Sequence, residues 1–100
     1  MSKSEIVSVL QSQKEVLSKQ FGISRLGLFG SYAKDQAHAD SDIDLVYELA
    51  PNKSLTFAEL ILLEQLLSTE LKHDKVELIN SKYMNPIIEH FMKEDVIYVQ

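Results

Sequence analysis

The chain has 100 residues, 45% of them apolar, a formal charge of −5 and no cysteine. That length suits one domain over residues 1–100 with a single modest core, and the missing cysteines exclude disulfides and zinc–thiolate sites. The negative charge argues against broad, direct nucleic-acid binding, and the lack of an 18-residue apolar run or a basic-then-apolar leader argues against a membrane span or secretory signal; a cytoplasmic setting is the default expectation.

Ser2–Lys3–Ser4–Glu5 reads as a capping box, and Ile6, Val9, Leu10, Val16, Leu17 and Phe21 follow at mostly helical spacing. One helix is predicted to about Gln20, ended by Phe21–Gly22–Ile23. Arg25 to Phe29 has the length and apolar character of a buried strand that stops at Gly30–Ser31. Tyr32 to about Gln36 is expected to form one or two helical turns, and 37–41 a polar loop.

Ile43 to Tyr47 reads as a second strand, closed by the turn signal Pro51–Asn52. Thr56–Phe57–Ala58–Glu59 is another capping box, opening a helix to about Leu71. Its apolar residues cover more of the circumference than one core-facing stripe needs, so part of it either packs against the first helix or binds another chain. Lys75 to Asn80 is a third strand. Asn85–Pro86 starts a last helix whose buried side is expected to be Ile87, Ile88, Phe91 and Met92. Asp95 to Val99 is a final strand at a sheet edge. This αβαβαβαβ order predicts an α/β (α+β) fold: a single mixed sheet of about four strands with helices packed on it.

The chemistry gathers in two short stretches. Strand residues two apart share a face, their α-carbons roughly 6.6 Å apart, so Asp42 and Asp44 can aim two carboxylates into one pocket. Such a pair repels unless a divalent cation neutralises it, and all-oxygen ligands suit Mg2+ or Mn2+. Asp42 alone would pass for a turn aspartate after Ser41, but Asp44 within Ile43–Asp44–Leu45–Val46 is costly to bury without a charge partner. Gly30 lets backbone approach a phosphate, and Ser31 offers a hydroxyl and an amide at an expected helix N-terminus. Lys34 and Arg25 are candidate counter-charges to phosphate, and Tyr32 is expected to pack beneath the loop. His38, His73 and His90 share no metal-ligand spacing and read as surface or satisfied core residues.

Leu28–Phe29–Gly30–Ser31–Tyr32–Ala33, then Ser41–Asp42–Ile43–Asp44–Leu45, resembles the signature of the polymerase-beta-type nucleotidyltransferase superfamily, and within it the minimal nucleotidyltransferases. Lys34–Asp35 stands where that pattern has Arg-Gly, which places a negative charge near the expected phosphate. The resemblance implies a nucleotidyltransferase fold, a metal held by Asp42, Asp44 and a third carboxylate for which Glu77 is the positional candidate (Asp74 the fallback), and catalysis by the same three residues. It implies nucleotide binding by Gly30, Ser31, Lys34, Asp42 and Asp44, and transfer of AMP from ATP to a hydroxyl. It further implies an antitoxin role beside a HEPN-type toxin whose tyrosine is the acceptor, with homo-oligomerisation a further assembly to consider. A nucleotide-binding module weak or inactive in transfer, and a nucleotidyltransferase acting on antibiotic-like small molecules, are the alternative readings.

Overall fold

The computed structural model describes residues 1–99. Helices α1 (Lys3–Ser12) and α2 (Lys14–Phe21) lead into the hairpin-paired strands β1 (Ile23–Phe29) and β2 (Ile43–Leu49). They are followed by α3 (Phe57–Leu71), β3 (Val76–Asn80), a 3-10 turn (Ser81–Tyr83), α4 (Pro86–Asp95) and the two-residue β4 (Ile97–Tyr98). The sheet order is β3-β2-β1-β4: β1 runs antiparallel to β2 and β4, and β2 parallel to β3. The fold is therefore the mixed four-stranded sheet expected, with β4 on an edge, but its element order is ααββαβαβ.

Local chemistry explains the boundaries. Both capping boxes form: Ser2 accepts from the Glu5 amide and Thr56 from the Glu59 amide, each glutamate answering the cap's own N–H. Asn85 accepts from the Ile87 amide at 2.8 Å, with Pro86 in the first helical position. The predicted single first helix is broken at Gln13, whose φ of −96° and ψ of 0° end α1 and start α2. That bend keeps Ile6 and Leu10 in one helix and Leu17 and Phe21 in the other all turned inward. The last helix runs on to Asp95, so only Ile97–Tyr98 remains of the final strand.

The two faces of the sheet are unequal. Ile43, Leu45 and Tyr47 alternate onto one face, where they pack with Leu28 and with Ile6, Leu10, Leu17, Leu63, Leu67 and Leu71 from the first three helices. Each fully buried leucine or isoleucine here contributes about 2 kcal/mol of transfer free energy, so this face holds most of the stability. The opposite face carries a small cluster of Phe29, Val46, Met84 and Met92. Of the four α4 residues expected to be buried only Met92 is, at 6% exposure; Ile87, Ile88 and Phe91 stand at 69%, 47% and 61%. Of the helix only Met92 joins the small cluster with Phe29, Val46 and Met84, and the other three side chains face solvent. The rest of that face is left open, and Asp44 lies on it.

Candidate active site

Because Ile43 and Leu45 point to the large core, Asp44 between them must point to the open face. Strand register then sets its neighbours: Asp44 lies opposite Phe29 of β1 and opposite Glu77 of β3. Asp42 precedes β2 by one residue and is placed by the segment before it. The Ile43 amide donates to the Lys75 carbonyl at 2.8 Å, His38 and Ser41 exchange two 3.0 Å hydrogen bonds, and the His73 ring nitrogen Nε2 bonds the Ser41 carbonyl at 2.8 Å. As a result Asp42, Asp44 and Glu77 each bring a carboxylate oxygen within 4.8 Å of the others. The two aspartates predicted to converge do so, and Glu77 rather than Asp74 is the third member.

Three carboxylates so close are electrostatically uncomfortable. Burial pushes the Asp44 carboxyl up to about 7, helped by its hydrogen bond to Glu77 and by the charges of Glu77 and Asp42. Among the described residues no lysine or arginine lies within ion-pair distance of the three. An all-oxygen set with unopposed charge, half-exposed at a cleft mouth, fits a hard divalent cation such as Mg2+ or Mn2+.

Gly30 closes the site from above with a left-handed φ of +77°. A Cβ at this position would overlap Asp44 Oδ2 and lie 3.1 Å from Asp44 Cγ. The glycine therefore lets the loop backbone sit directly against the carboxylate. The loop beyond is one turn, not the expected helix, closed by Lys34 N–H to Gly30 O at 3.2 Å and Gln36 N–H to Ser31 O at 2.9 Å. No helix dipole assists it. Among the described residues the amides of Ser31, Tyr32 and Ala33 donate to no protein acceptor, which leaves three donors at the site's edge. Tyr32 is buried beneath the loop, as expected, with its ring edge-on to His73 at 5.8 Å.

The departure at Lys34–Asp35 has a structural answer. Asp35 adopts φ +58°, the backbone that glycine takes most readily, and its carboxylate is paired with Lys3 at 3.0 Å. Lys34 lies 3.6 Å from Asp95 and lines, with Gly30, Phe91 and Met92, a cleft of about 190 Å³ beside the carboxylates. Arg25 is not in the site: it stacks on Tyr98 at 3.9 Å and pairs with Glu48 at 3.5 Å, toward the other end of β1. Sequence reasoning missed the part played by His73, because no spacing rule connects a residue after α3 to a carbonyl 32 positions earlier.

A family model described as "Polymerase beta, Nucleotidyltransferase" matches residues 11–100. The chain belongs to this nucleotidyltransferase family. It is 36% identical over 97 residues to a Methanocaldococcus jannaschii protein named "Putative protein adenylyltransferase MJ1379", the match covering 96% of each chain. It is 33% identical over 95 residues to the protein adenylyltransferase MntA of Thermococcus cleftensis, covering 95% of this chain and 93% of that one. Among solved folds, a toxin–antitoxin crystal structure with AMP-PNP superposes with a TM-score of 0.70 at 22% identity, covering 90% of this chain and 72% of that one. An MNT antitoxin in complex with a tri-AMPylated Shewanella oneidensis HEPN toxin gives 0.64 at 19%, covering 94% and 71%. These structures share the nucleotidyltransferase fold.

Proposed function

We propose that this nucleotidyltransferase transfers AMP from ATP to a hydroxyl on a protein partner, a tyrosine of a HEPN-type toxin, and so acts as an antitoxin. The observation that carries the reading is the meeting of Asp42, Asp44 and Glu77 beneath the Gly30 loop. Relatives named as protein adenylyltransferases, and fold neighbours crystallised with an ATP analogue and with an AMPylated HEPN toxin, support the choice of AMP and of partner.

In this reading Asp42 and Asp44 hold the cation, and Glu77 completes its ligand set. A bound Mg2+ would polarise the α-phosphate and offset the charge of departing pyrophosphate. Gly30 lets the loop approach, the free amides of Ser31, Tyr32 and Ala33 orient the polyphosphate, and Lys34 would turn from Asp95 to meet its charge. Glu77, exposed like Asp42, would take the proton from the attacking hydroxyl as the oxygen–phosphorus bond forms and pyrophosphate leaves in line. The chain's contribution is positioning and charge rather than covalent chemistry.

Incubation with α-labelled ATP, Mg2+ and a HEPN-type partner tests this. Label on the partner that is absent with Asp42→Ala/Asp44→Ala supports transfer. Nucleotide binding without label in either protein means a binding module instead.

A further inference from the structure

The triad has two flanks of opposite character. On one side lie the Gly30 loop, its unclaimed amides and Lys34. On the other, α3 and the outer edge of β3 border a larger open cleft of about 620 Å³ whose lining, passing round that edge, includes Asp42 and Glu77. Phe57 and Ile61 form its apolar wall, while Glu64 and Asp74 add carboxylates outside the triad; Lys75 is its single lining cation among the described residues. Helix α3 itself contains Glu59, Glu64 and Glu70 and no basic residue.

We propose that the α3–β3 cleft is the acceptor's docking site, and that its occupant is a basic protein segment presenting the hydroxyl to Glu77. The proposal rests on the transfer reading and specifies the chemistry of the acceptor. A triphosphate entering this cleft would meet Glu64 and Asp74, whose charges a cation at the triad does not share, whereas the opposite flank offers it three backbone donors and carries one carboxylate, Asp95, already paired with Lys34. Lysine or arginine beside the acceptor hydroxyl is drawn in by the same carboxylates, which favours encounter and register. The apolar surface is open and runs past the cleft: its wall residue Phe57 is 79% exposed, and Leu62, beyond the rim, 57%. A small polycation would leave that surface in water, and a protein segment covers it.

The test uses two tyrosine peptides, one flanked by lysine and arginine and one by glutamate, with the full chain, Mg2+ and either α-labelled ATP or a non-hydrolysable analogue. The expected result is at least tenfold tighter binding and faster labelling of the basic peptide. Glu64→Lys/Asp74→Lys should erase that preference, and Phe57→Ser/Ile61→Ser should weaken binding of the basic peptide about tenfold. All four residues lie at the surface, and unchanged thermal unfolding establishes that the variants remain folded. Ile87→Ser, on the separate apolar face of α4, should bind as the wild type does. Equal treatment of the two peptides, a charge-reversed variant that keeps the preference, or tighter binding of spermidine than of the basic peptide overturns the proposal while leaving transfer intact. Charge-dependent binding of the basic peptide without label in any arm upholds the docking site and defeats the transfer reading instead.

Discussion

Replacing Gly30 with alanine probes the contact on which the site's geometry depends. Two costs arise. At φ +77° a side chain strains the backbone by roughly 1 kcal/mol, and the new methyl overlaps Asp44 Oδ2, forcing that carboxylate to turn or the loop to lift. In the metal-free protein, turning Asp44 away from Glu77 and Asp42 relieves repulsion, so the second cost is partly offset. The net loss should be about 1–2 kcal/mol, a Tm lower by roughly 5–12 °C for a chain of this size. Function should suffer more than stability. Displacing one of three ligands is expected to weaken Mg2+ binding about 10- to 100-fold, and a shift of about 1 Å in the reacting groups to slow transfer about 100-fold. Thermal unfolding with and without Mg2+, beside the labelled transfer assay, measures both. A Gly30→Ala protein that keeps its Mg2+-induced Tm shift and transfers within threefold of wild type refutes the argument that loop and carboxylate are fitted to each other.

Asp44 gives a pH signature: its folded pKa of about 7 lies above the ordinary 3.8, so the metal-free native state holds an extra proton between those values and loses stability as pH rises through them. The whole interval corresponds to about 4 kcal/mol, which solvent screening of a half-exposed carboxylate reduces to about 1–2 kcal/mol; urea titrations at pH 5 and pH 8 should show the decline, and Asp44→Asn should flatten it. Asp35→Gly removes left-handed strain and loses only an exposed pair with Lys3, so calorimetry should find it more stable by about 0.5–1 kcal/mol. His73→Phe keeps an aromatic ring against Tyr32 but cannot bond the Ser41 carbonyl; it should cost about 1 kcal/mol and raise the Mg2+ concentration needed for half-maximal transfer, with His73→Gln recovering part of the loss.

Local signals with a direct mechanism were legible in the sequence. Two capping boxes, the Asn85–Pro86 start and the glycine at the end of α2 each act within a few residues, and each marks the boundary it implied. Alternation around Ile43–Asp44–Leu45 was enough to isolate Asp44 as a carboxylate on a buried strand, and the triad follows from register. What depended on tertiary packing was not legible. Ile87, Ile88 and Phe91 are exposed because α4 docks on the Phe29–Val46–Met84 cluster through Met92 alone, which no periodicity reports. The break at Gln13, in a stretch of good helix formers, answers to the core rather than to propensity. Tyr32 to Gln36 is too short to hold a helix once the loop has to sit against Asp44.

Whether Asp42, Asp44 and Glu77 share one cation under the Gly30 loop can be read from Mn2+ titration followed by electron paramagnetic resonance in the presence of a non-hydrolysable ATP analogue. One tightly held Mn2+ is expected in the wild type, with affinity falling at least tenfold in each of Asp42→Asn, Asp44→Asn and Glu77→Gln. Equal Mn2+ binding by the wild type and a variant carrying all three substitutions would contradict it.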